Sequence, residues 1–101
     1  MLFMSDSPEA SLPQPTFEFL VLSLKMQTEM HLGLLHFGEE KDRPEPELHV
    51  ARHTIDMLAM LAEKTKGNLE IAEQRLIENS LTELRFRYVQ AMERSSKPPQ
   101  T

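Results

Sequence analysis

His49 and His53 stand four residues apart, a spacing that on a helix brings both imidazoles within reach of one metal ion. The glutamate of a metalloprotease helix is missing, because position 50 is valine, and no third ligand lies near in the sequence. We therefore expect two solvated histidines and no metal. Lys64, Lys66 and Asn68 flank Gly67 just ahead of a helix start, where free backbone amides and two cations could hold a phosphate. Glu70 and Glu73 bring negative charge to the same place, and the two lysines equally suit the negative end of the preceding helix. A small anionic ligand on the Lys64–Asn68 turn is the alternative reading of this chain.

Asp56 has two candidate partners. Arg52 lies one helical turn before it, and such an exposed pair contributes only a few tenths of a kcal/mol. Arg85, on a later helix of the same chain or of another subunit, would instead make a structural ion pair that fixes register. Ser80 has no histidine in its own helix to serve as base, so it reads as a small packing residue. The carboxylates Glu39, Glu40, Glu45 and Glu47 lie in a connector, where water keeps them ionised and unsuited to general acid–base work. These residues make no catalytic set. The expectation is a non-enzymatic chain with no cofactor.

The elements that must position these residues are few. A chain of 101 residues holds one domain at most, with a core near the lower limit of self-sufficiency. The net charge of −5 and the lack of a basic stripe exclude nucleic acid as a natural partner, because that affinity comes from neutralising phosphates. Zero cysteines exclude disulfides, thiolate metal sites and cysteine nucleophiles. Met1 to Met4 is too short an apolar run for a signal peptide, and the apolar stretch from Phe17 to Phe37 is broken by Glu18, Lys25, Gln27, Glu29 and His31. No membrane insertion and a cytoplasmic location are expected, with translation starting at Met1 or at Met4.

Residues 1–15 carry Pro8, Pro13 and Pro15 and are expected to be disordered, as is the tail 94–101. Between them, 16–93 read as an all-α domain of three helices, over about 17–37, 47–66 and 71–93, packed as an antiparallel bundle. Thr16 is placed to cap the first helix, with Glu18 complementing its dipole. Gly38 and the prolines of the connector would end it, which leaves Gly33 mid-helix at a cost of about 1 kcal/mol unless another helix crosses close by. Gly67 suits a left-handed position after the second helix. The second helix gathers Val50, Ala51, Thr54, Ile55, Met57, Leu58, Leu61, Ala62 and Thr65 on one face; the third gathers Leu76, Ile77, Leu81, Leu84, Tyr88, Ala91 and Met92.

The first helix differs. Glu18, Lys25, Glu29 and His36 share a narrow stripe, and apolar residues take up much of the remainder, far more than the arc of about 100° that a surface helix needs. Three helices cannot hide so much. Phe19, Met26 and Met30 on the first helix, Met60 on the polar side of the second, and Phe86 and Val89 on the third are the residues expected to form an interface, with a second copy or with another protein.

The stretch Ile55-Asp56-Met57-Leu58, then Leu61, the run Lys64-Thr65-Lys66-Gly67-Asn68-Leu69, Glu73, Leu84-Arg85 and Tyr88-Val89 resembles a bacterial family, domain of unknown function 1844. The likeness takes in residues 16–92, with the Phe-rich start and Leu32-Gly33 of the first helix, and the Lys-Thr-Lys-Gly-Asn-Leu run carries most of it. Glu70 departs from the pattern, which has a threonine capping the third helix there. The resemblance implies a short helical bacterial protein and brings no reaction, substrate or cofactor.

Overall fold

A computed structural model describes residues 12–96. Three helices, α1 (Phe17–His31), α2 (Leu48–Lys64) and α3 (Ile71–Ser96), make up the fold, and a single 3-10 turn, Glu40–Asp42, interrupts the connector between the first two. No strand occurs among the described residues. The expected disorder of residues 1–11 and 97–101 concerns segments outside the described residues. Residues 12–15 have no regular structure, whereas α3 continues through Ser96, three residues past its expected end.

Each helix turns mostly apolar residues inward at alternating steps of three and four, the spacing that packs helices at shallow angles. In α1 these are Phe17, Val21, Leu24 and Thr28; in α2 Ala51, Ile55, Leu58 and Ala62; in α3 Ile77, Leu81, Leu84, Tyr88 and Ala91. Val21, Leu24, Ile55, Leu58, Ile77, Leu81 and Leu84 close into the main core. A smaller cluster joins Leu32, at the end of α1, to Ala51, near the start of α2, and Ala91, near the end of α3. Those three positions share one end of the bundle, so α1 and α3 run parallel and α2 runs against both. Lys25 ties α1 to α3 through Glu83 at 3.4 Å.

Thr16 caps α1 as its position requires, its hydroxyl accepting the Phe19 amide at 3.0 Å. The other end of α1 corrects the sequence reading. The helix stops at His31, not Phe37, and the residue that ends it is Gly33, not Gly38. Gly33 takes φ of 78°, the Leu34 amide donates to Glu29 O at 2.9 Å, and the Gly33 amide donates to Met30 O at 3.0 Å. This pair of bonds satisfies the last carbonyls of the helix and needs a left-handed residue that only glycine adopts without strain. Gly33 is therefore not a mid-helix liability. A Cβ there would also stand 2.8 Å from Pro44 O, so the connector has folded back against it. Two further bonds hold that return: the Glu47 amide donates to His31 O at 2.7 Å, and Glu47 Oε1 accepts from His31 Nδ1 at 3.0 Å.

α2 spans two residues fewer at its end, and one fewer at its start, than the expected 47–66. Gly67 does adopt the left-handed conformation, φ 87°, inside a turn that the Asn68 amide closes onto Thr65 O at 2.9 Å. At the start of α3 the missing threonine is replaced in part by Glu73, whose carboxylate accepts the Glu70 amide at 2.9 Å.

Candidate interaction surface

The residues that α1 buries, Val21, Leu24 and Thr28, all lie on one side. At 100° per residue, Phe19, Ser23, Met26 and Met30 fall on the opposite side. They repeat the inward spacing two positions later, so α1 carries two seams of the same form, one turned to the core and one turned out. The outward side is open. Phe19 is 43% exposed, Leu22 47%, and Met26 and Met30 57% each. With Ser23 and Gln27 they line a shallow groove of about 400 Å³. Ser23 adds no unpaired donor to it, because its hydroxyl bonds Phe19 O at 2.8 Å.

Three of the residues singled out from sequence, Phe19, Met26 and Met30, are thus brought together. Met60 on α2 and Phe86 and Val89 on α3 are exposed as expected, but on other helices and not in this groove. Phe86 and Val89 are one turn apart and make a smaller patch of their own. Leu22 completes the groove and was not singled out. Its signal was its spacing from Phe19 and Met26, hidden within the apolar run Leu20-Val21-Leu22. Part of the apolar excess assigned to α1 belongs to the connector instead: Leu32 is buried there, Leu34 half-buried, and Phe37 almost fully exposed.

The polar candidates are dispersed. Asp56 pairs with Arg52 at 3.9 Å, both side chains being about two-thirds exposed (66% and 70%). Arg85 lines a separate cleft of about 330 Å³ between α2 and α3, floored by Ala59, Ala62, Ile77 and Leu81. Lys66 reaches the rim of that cleft but lies 3.9 Å from Glu63, and Lys64 and Asn68 are exposed. The carboxylate of Glu73 stands at the start of α3, where an anion would have to bind. His49 and His53 are exposed on α2, and no group of three or more potential ligands that could hold a metal occurs among the described residues. Among the described residues the buried polar side chains are those of Thr28, Thr54 and Ser80, none of them ionisable. No helix among the described residues is long and apolar enough to cross a membrane.

Fold and surface together define a small all-α bundle whose first helix presents an apolar face on each side. The family model described as a domain of unknown function (DUF1844) matches residues 14–90, so the chain belongs to that family. No curated protein and no solved structure matches it significantly.

Proposed function

We propose that this is a non-enzymatic protein that acts through protein–protein contact, with the outer side of α1 as the contact surface. The observation that carries the reading is the second seam, Phe19, Ser23, Met26 and Met30, which lies open on the side of α1 away from the core. Leaving such a seam wet forgoes roughly 25 cal/mol for each Å² of apolar surface, a cost that a covering partner removes. Large exposed apolar patches on soluble proteins commonly mark interfaces. The placement of charge supports the non-enzymatic part: every ionisable side chain described lies at least partly in water, away from the burial that general acid–base chemistry requires.

Light scattering at micromolar concentration, with an apolar fluorescent dye titrated into the same sample, tests the reading. A covered face is expected to give a mass above 11.7 kDa, and an uncovered face is expected to take up dye. Met26→Lys is expected to abolish whichever of the two is seen. A strictly monomeric chain that takes up no dye, or a response indifferent to Met26→Lys, would overturn it.

A further inference from the structure

The geometry points to a second copy of this chain as the occupant of the outer seam, with α1 lying antiparallel against the partner's α1. This rests on reading that face as a contact surface. The seam Phe19, Ser23, Met26, Met30 has steps of four, three and four, and the same steps appear when it is read backwards. A two-fold axis running beside the outer face of α1, level with the midpoint between Leu24 and Lys25, therefore lays the seam on its copy. It sets Phe19 opposite the partner's Met30 and Ser23 opposite the partner's Met26.

The side chains match in that register. A thioether against an aromatic ring is a favourable contact, and both ends of the seam gain one. The smallest residue faces a long, flexible one, so the helices can approach without leaving a void. The Ser23 hydroxyl enters the interface already bonded to Phe19 O, so its burial strands no donor. A parallel pairing loses each of these. It sets ring on ring, methionine on methionine and serine on serine, leaving a gap at Ser23, and it aligns the two helix dipoles unfavourably.

The exposed area also fits two copies. Phe19, Leu22, Met26 and Met30 together leave roughly 400 Å² exposed per chain, within the ~300–600 Å² that the largest patch on a monomer usually reaches. Two such faces come to about 800 Å², so the flanking Ser23 and Gln27 must be covered as well for the pairing to clear the roughly 1,000 Å² of a specific interface.

The absence of cysteine makes the test clean. Phe19→Cys and Met30→Cys, each the sole thiol of its chain, are mixed in equal amounts under mild oxidation. The antiparallel register predicts a mixed disulfide in at least ~10-fold excess over the product of either variant alone. In that register the two copies of position 19 stand about 16 Å apart along the helix, beyond the reach of a disulfide. Phe19→Cys linking to itself as efficiently as to Met30→Cys would overturn the pairing. Met26→Lys is expected to raise the dimer dissociation constant by on the order of 100-fold with unchanged helical circular dichroism. A Met26→Lys variant as dimeric as the parent would overturn the proposal. A monomeric parent that takes up dye would overturn self-pairing while leaving the outer seam a contact surface for another protein.

Discussion

Thr28 of α1 and Thr54 of α2 meet inside the bundle with their hydroxyl oxygens 2.7 Å apart. Thr28 Oγ1 also lies 2.8 Å from Leu24 O, and Thr54 Oγ1 2.9 Å from Ala51 O. Two hydroxyl protons serve three contacts, since each threonine donates only once. Either Thr28 donates to Leu24 O and Thr54 donates to Thr28, or Thr54 donates to Ala51 O and Thr28 donates to Thr54. Both arrangements leave each hydroxyl bonded, so the pair fixes the register of α1 on α2 without leaving a polar group stranded in the core.

Valine matches threonine in shape, which makes this pair testable by a double-mutant cycle. Thr28→Val or Thr54→Val removes the bond between helices but leaves the other hydroxyl its own helical carbonyl, and each is expected to cost about 1 kcal/mol. The double variant buries no hydroxyl at all. It is expected to fall within about 0.5 kcal/mol of the parent, clearly less than the sum of the single costs. Urea unfolding of the four proteins measures this; additive losses would show that the two hydroxyls do not act together.

The two left-handed glycines separate backbone conformation from packing. Gly67 has φ of 87° and nothing within 4 Å of a built Cβ, so Gly67→Ala should lose only the conformational term, about 1 kcal/mol. Gly33 has φ of 78° and a backbone oxygen 2.8 Å from the same position. Gly33→Ala must push the connector away as well as strain the cap, and a loss of about 2–3 kcal/mol is expected. Thermal melts of both variants would give the comparison, and equal losses would mean that the contact with Pro44 contributes nothing.

Those same glycines show how far the sequence could be read. Three helices, the Thr16 cap and the turn at Gly67 were legible because each depends on residues within one or two turns. The inward spacing of α2 and α3 was legible for the same reason, although Met92, counted with the core of α3, lies 42% exposed. The end of α1 was not legible, because Leu34, Leu35 and Phe37 continue an apolar pattern past Gly33. Gly33 ends the helix there in a cap against which Pro44 and Glu47, more than ten residues away, fold back. The Thr28–Thr54 pair was hidden likewise, since neither residue signals its partner 26 positions off. The outer side of α1 was visible as too much apolar surface for one helix. Which residues point outward depended on register within Leu20-Val21-Leu22, and that only packing decides.

Asp56 provides a test of the weakest contact considered. Its partner Arg52 sits at 3.9 Å with both side chains in water, a geometry typically worth less than about 0.5 kcal/mol. Asp56→Asn is expected to leave the unfolding midpoint in urea almost unchanged. A loss above about 2 kcal/mol would reassign Asp56 to a desolvated partner, with Arg85 the first candidate to change next.

Leu58 and Met60 are two residues apart on α2, hence about 200° apart around its axis, and they should respond oppositely to truncation. Leu58 is fully buried where all three helices meet, so Leu58→Ala removes apolar contact and leaves a cavity that rigid neighbours cannot fill. The expected cost is about 2–5 kcal/mol, a large share of the stability of so small a domain. Met60 is 47% exposed, and Met60→Ala leaves no cavity; a change within about 0.5 kcal/mol is expected in dilute solution. Concentration separates the two further. A core loss is the same at every concentration, whereas a residue covered in an assembly destabilises more as concentration rises, because binding adds to the stability of the folded state. Melting both variants at two protein concentrations a hundredfold apart would therefore place Met60. A gap between Met60→Ala and the parent that widens at the higher concentration would add this side of α2 to the contact surface, and a constant gap would leave Met60 outside it.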